Sequence, residues 1–125
     1  MTITEQQCRF VTNLAKLVLW ANEQGLKVKV CELNREIETQ KAYVAQGKSK
    51  TMDSRHLDKL AADLAVLDKD GVVHSGGEIF RPLGAYWESL GGRWGGRFGL
   101  EKEPKAVQDV KLGWDSPHFE MRKEA

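Results

Sequence analysis

The chain has 125 residues, 41% hydrophobic and 30% charged, with a formal net charge of +1. That is enough chain for one domain, spanning 1–125, that buries roughly two thirds of its unfolded surface, and the composition excludes a disordered polyelectrolyte. Nineteen Lys and Arg, spread along the chain against 18 acidic residues, exclude a massed basic face, so no nucleic-acid partner is expected.

The opening segment MTITEQQCRF has no basic stretch followed by an apolar one, so no signal peptide is expected and the protein is read as cytoplasmic. Residues 4–24 carry Phe10, Leu14, Leu17, Val18 and Ala21 on one helical stripe. Thr4 with Gln7 resembles a capping box, and Gly25 suits the position just past the helix. The longest apolar run, LAKLVLWA, is broken by Lys16 and falls far short of the ~20 residues of a membrane span, so no membrane insertion is expected. Cys8 and Cys31 form no CxxC pair and read as free, partly buried thiols.

LKVKV, residues 26–30, alternates as a half-exposed strand and opens a core that runs to about residue 122. A second helix is expected from about Glu36 to Gln46, stopped by Gly47. KSKTMDSRH is polar and aperiodic, a loop leading to the buried strand AADLAVLD, the turn DKDG and VVHSGG. Pro82 opens a third short helix with Leu83, Trp87 and Leu90 on one side, so Trp87 reads as core. Residues 91–99, GGRWGGRFG, read as an irregular loop, EKEPKAVQD as a solvated connector, and HFEM as a last short strand. Interleaved helices and strands with a loop-rich second half predict an α+β fold with a small antiparallel sheet flanked by helices.

Asp63 is the anomaly, a carboxylate inside an apolar strand. A buried charge is costly unless paired or bound to a metal. The plain alternative is that Asp63 stands at a strand end and caps a turn. The other residues of interest are His56, seven positions earlier, and His118 in WDSPHFE, which taken alone reads as a satisfied core histidine. Together His56, Asp63 and His118 make an N, O, N donor set suited to zinc, three protein ligands with a fourth position left for water.

These stretches carry a family resemblance. SRHLDKLAADL is similar to the S-x-H-x(6)-D signature, and DSPHFE to the D-x-x-H-F/W-E signature, of the zinc D-alanyl-D-alanine carboxypeptidase and L-alanyl-D-glutamate endopeptidase family (VanY-like peptidases). NREIETQKAYVAQGKSKTMDSRH is similar to the family's upstream segment as found in phage and prophage endolysins, and WGGRFG to its W-G-G-D-W loop. The motifs run in the family's order from about Arg35 to Glu120. The resemblance implies a hedgehog/DD-peptidase-like fold and Zn²⁺ held by His56, Asp63 and His118. It implies Asp115 as general base and Arg35 on the substrate's carbonyl or carboxylate. Ser54 would sit beside the first ligand or on substrate, and Glu120 would orient His118 through its other ring nitrogen. Trp94 is expected to wall the cleft or to pack in the core, as is Trp114.

The implied activity is hydrolysis of peptidoglycan stem peptides, with the L-Ala–D-Glu bond favoured, by a monomeric lysin stored in the host cytoplasm until released to the wall. The alternatives are a D-Ala–D-Ala carboxypeptidase and an inactive, zinc-stabilised wall-binding domain. The chain departs from the family pattern at Asn34, Glu36, Lys59, Arg97 and Phe98, none of them an implied ligand. His74 reads as a surface turn residue, Glu88 as a solvated helix residue and Asp58 as exposed.

Overall fold

A computed structural model describes residues 1–33, 37–47, 55–98 and 111–124. Helix α1 spans Ile3–Glu23 and is capped by Thr2, whose hydroxyl accepts from the Glu5 amide at 3.1 Å. The cap is therefore two residues earlier than the sequence suggested: the Thr2-x-x-Glu5 spacing, not Thr4 and Gln7, meets the free amides of the first turn. One stripe of α1 is buried, formed by Gln6, Phe10, Asn13, Leu17 and Ala21. Gly25, at φ +81°, ends the helix in the left-handed conformation that only glycine adopts without penalty.

The strands follow as β1 (Lys27–Glu32), β2 (Ala61–Leu67), β3 (Val73–His74), β4 (Arg93–Trp94) and β5 (His118–Glu120). Helix α2 covers Ile37–Ala45, and α3 covers Arg81–Ser89 behind a 3-10 turn at Glu78–Phe80. The α+β architecture is as expected. The glycine-rich stretch 91–99 differs from its reading as an irregular loop: Arg93–Trp94 pairs with β5, and Gly95–Arg97 forms a 3-10 turn. A two-residue strand carries no alternation to read, which is why composition alone pointed to a loop.

The sheet runs β1-β2-β5-β4, all antiparallel. β1 lies along one edge of β2; on the other, β5 takes Ala61–Asp63 and β3 takes Val66–Leu67. Side chains on successive strand residues point to opposite faces. Ala62, Leu64 and Val66 of β2 and Phe119 of β5 join Phe10 and Leu17 of α1 and Leu83 and Trp87 of α3 in one core. Asp63, His118 and Glu120 alternate with these residues and therefore lie on the opposite face. The carboxylate in the apolar run is thus mid-strand, not at an end, and it points away from the helix-covered core.

Some surface readings change. Cys8 and Cys31 are free but exposed rather than partly buried. Asp58 is half-buried, bound by Arg55 at 2.9 Å and Lys123 at 3.2 Å. Glu88 accepts from Arg97 at 2.6 Å, so it is an ion-pair partner rather than a solvated side chain. His74 clips its turn by a 2.7 Å contact to Asp68. Among the described residues no helix is long and apolar enough to cross a membrane.

Candidate metal centre

Antiparallel register places Asp63 of β2 directly opposite His118 of β5. This pairing brings together two residues that are 55 apart in sequence. His118 Nδ1 lies 3.1 Å from Asp63 Oδ1. His56, in the turn 55–59 before β2, places Nε2 at 3.3 Å from Asp63 Oδ2. One donor atom from each of the three residues lies within 4.8 Å of the others, a set that could hold a metal ion. Donors sharing a tetrahedral zinc at about 2.0–2.1 Å sit roughly 3.3–3.5 Å apart, and each imidazole lies near that distance from one of the two Asp63 oxygens. Two imidazoles and one carboxylate favour zinc over calcium or magnesium, which take oxygen ligands.

The outer nitrogens decide whether the rings are free to turn. His56 Nδ1 donates to the Leu33 carbonyl at 2.9 Å, just past the end of β1. His118 Nε2 donates to Glu120 Oε1 at 2.8 Å. Each ring is thereby held in one orientation, with its inner nitrogen toward Asp63 and its outer proton fixed on an acceptor. His56 and His118 are 1% and 5% exposed, so the rings are packed as well as bonded.

The electrostatics follow from that packing. Burial opposes ionisation of Asp63, but hydrogen bonds from His118 and His56 outweigh it and hold the carboxyl well below its usual range. Burial likewise opposes a charge on His118. Its bonds to Asp63 and Glu120, with Asp115 nearby, prevail and raise it from its ordinary 6.5 to about 9. Glu120 is buried too, yet its bond to His118 lowers it, with Arg93 adding to the effect. The site is an acidic basin that attracts either a proton on His118 or a metal cation beside it. Metal binding must therefore release the Nδ1 proton, since a ligating imidazole is neutral.

Asp115 puts Oδ2 at 3.8 Å from the same His118 nitrogen that faces Asp63. A glycine makes this approach feasible. A Cβ on Gly95 would land on the Asp115 carbonyl and press on His118 Cβ, so only a bare backbone fits. The Asp115 amide also donates to the Gly95 carbonyl at 3.2 Å. Phe98 roofs the site, 8% exposed, its ring 5.3 Å from His118 and 5.2 Å from Trp114. Trp114 is half-exposed beside Asp115.

Of the two places expected for Trp94, the structure shows the core, so its reading as a cleft wall is corrected. It is fully buried in the core, where substrate has no access, and its indole donates to the Ser116 carbonyl at 2.7 Å. It braces the segment carrying Asp115 and His118 from behind. Trp87, expected as core, makes the equivalent bond to the Glu120 carbonyl at 2.8 Å. Arg35 and Ser54 lie outside the described residues. The Leu33 carbonyl and the Arg93 side chain were not singled out from sequence. A backbone acceptor leaves no residue-type signal, and Arg93 is visible only once β4 is known to pair with β5.

Fold and site together define the structural class, an α+β fold with a small antiparallel sheet that carries a candidate His-Asp-His metal centre on one face. No protein-family profile matches the chain, and no curated protein matches it by sequence. Among solved structures it is similar to the L-Ala D-Glu endopeptidase ChiX of Serratia marcescens, with TM-score 0.61 and 24% identity over 89% of this chain and 79% of that one. It is also similar to a mutant of the vancomycin-resistance D,D-pentapeptidase VanY from a VanB-type cassette, solved in complex with Zn(II). There the TM-score is 0.58 and identity 21%, over 90% of this chain and 70% of that one.

Proposed function

We propose that the chain is a zinc-dependent hydrolase of peptidoglycan stem peptides that cuts the L-Ala–D-Glu bond, in the role of a phage endolysin. One observation carries the metal part: two imidazoles, each tied by its outer nitrogen, turn their inner nitrogens onto one carboxylate. The stem-peptide part draws on the shared fold of ChiX and VanY. The lytic role draws on the resemblance of residues 34–56 to endolysins.

Bound by His56, Asp63 and His118, zinc would supply Lewis acidity, lowering the pKa of water to roughly 7 and polarising a carbonyl. Asp63 would balance the cation's charge. Asp115, beside His118, is placed to take a proton from the attacking water and return it to the leaving amine. Glu120 keeps the His118 Nε2 proton and so keeps the Nδ1 lone pair directed inward. Phe98 keeps bulk water off one side of the imidazole. Arg35 is assigned to the developing oxyanion and Ser54 to substrate or ligand contact, both by motif position alone.

Mass spectrometry of digested peptidoglycan tests the bond. New D-Glu amino termini support the endopeptidase. Free D-alanine would replace it with the D,D-carboxypeptidase reading that the likeness to VanY favours. An Asp115→Ala variant is expected to retain stoichiometric zinc and lose about 10²–10⁴-fold in rate. Undiminished cleavage by that variant would remove Asp115 from the mechanism.

A further inference from the structure

Glu120 has two carboxylate oxygens, and His118 accounts for only one of them. The other, Oε2, faces Arg93 Nη1 at 3.4 Å. The pairing follows from register, since Arg93 on β4 lies opposite Glu120 on β5. Asp63, His118, Glu120 and Arg93 thus form a row across three strands on the site face of the sheet. The Arg93 guanidinium also lies over the Phe98 ring, 4.5 Å from its centroid. Phe98 in turn packs on His118 at 5.3 Å. Arg93 therefore reaches the same imidazole by two routes, one through a carboxylate and one through an aromatic ring.

A solvent-exposed cross-strand ion pair is worth little, and that is the ordinary account of Arg93. Burial argues against it here. Glu120 is 6% exposed and sits between an imidazole and a guanidinium. A carboxylate so enclosed has few orientations, and removing one partner frees it to rotate away from the other. A planar cation that both pairs with a carboxylate and lies on an aromatic face is a task for arginine, because lysine offers a point charge without the fork.

We propose that Arg93 is a positioning residue for the metal centre: through Glu120 and Phe98 it fixes the His118 ring with Nδ1 toward Asp63. This rests on the metal reading above and deepens it, because Arg93 stands outside the His56, Asp63 and His118 donor set. Its effect belongs in metal affinity and ligand geometry rather than in fold stability.

The test compares the wild-type chain with Arg93→Ala and Arg93→Lys. Zinc affinity is measured by competition with a chromophoric chelator, the ligand field by the visible spectrum of the Co(II)-substituted protein, and the fold by melting in chelator. Arg93→Ala is expected to weaken zinc binding about tenfold or more and to alter the Co(II) bands, while the chelated protein melts close to wild type. Arg93→Lys, which keeps a charge beside Glu120 but cannot lie flat on Phe98, is expected to recover part of that loss. Unchanged zinc affinity and Co(II) bands in Arg93→Ala overturn the proposal and leave the metal reading standing. So does a lysine variant no better than alanine. A wild-type chain that binds neither ion overturns the metal reading, and the role of Arg93 falls with it.

Discussion

The two faces of the sheet use the same strands for opposite purposes. On β2, Ala62, Leu64 and Val66 enter the helix-covered core, while Asp63 between them faces the ligand set. On β5, Phe119 is core, and its neighbours are His118, a candidate ligand, and Glu120, which accepts from its ring. The core face is held by apolar area, which tolerates any shape that fills the space. The site face is held by directed bonds, which tolerate almost none. A one-residue slip of β5 against β2 would exchange the two sets, so correct register is a condition of both stability and chemistry.

The sharpest way to break this division is a paired experiment. Trp87→Ala, on the core face, is expected to cost about 3–5 kcal/mol in chemical denaturation. Its indole bond to the Glu120 carbonyl goes with it, so metal affinity falls too. Asp63→Asn, on the site face, is expected to weaken zinc binding by about 100-fold, roughly 2.7 kcal/mol, while the chelated protein stays folded at room temperature. Should Asp63→Asn unfold the chain outright, the two faces are not separable.

Gly95→Ala probes the contact between them. The added methyl meets the Asp115 carbonyl and His118 Cβ. Overpacking of this kind costs about 1–3 kcal/mol and is expected to lower zinc affinity as well. Wild-type affinity in a folded Gly95→Ala protein would show that Asp115 and His118 can shift without consequence.

The pH dependence of the chelated protein isolates the site face. His118 is raised from 6.5 to about 9, so the stability it contributes is fully present below pH 6.5 and declines as pH climbs through about 9. Asp63 and Glu120 are lowered, so theirs is present above the ordinary carboxylate range, 3.8 and 4.5, and declines as pH falls below it. Denaturation midpoints in chelator should therefore peak between about pH 5 and 6.5. His118→Asn should flatten the alkaline limb. An alkaline limb that persists in that variant would assign the titration to another group.

The smallest effect is expected at Lys59. It sits at φ +59°, a left-handed conformation unfavourable for a side-chain-bearing residue. Lys59→Gly is expected to stabilise by about 1 kcal/mol without altering zinc affinity. A destabilised variant would mean that the lysine side chain makes up for its backbone.

These contrasts also mark what the sequence disclosed. Long periodic elements were legible: α1 came within a residue at each end, and AADLAVL is β2. His56, Asp63 and His118 were legible because motif order tied distant residues to one donor set, and the structure brings all three together. Three things were hidden for physical reasons. β4 is too short to show a period, so Arg93 went unnoticed. The Leu33 carbonyl carries no side-chain identity. The choice between cleft and core for Trp94 stayed open because its neighbours in sequence belong to the site, and only strand alternation turns its indole to the core side of the sheet.

The hydrogen bonds from Trp87 and Trp94 to the carbonyls of Glu120 and Ser116 make these two indoles optical reporters. Both are shielded from water, whereas Trp114 is half-exposed. With the partly exposed Trp20 of α1 replaced by phenylalanine, blue-edge emission senses the polypeptide on either side of His118, and red-edge emission senses Trp114 beside Asp115. Titrating an ion into that unlabelled variant separates a change at the strand from a change at the exposed indole beside Asp115 by wavelength.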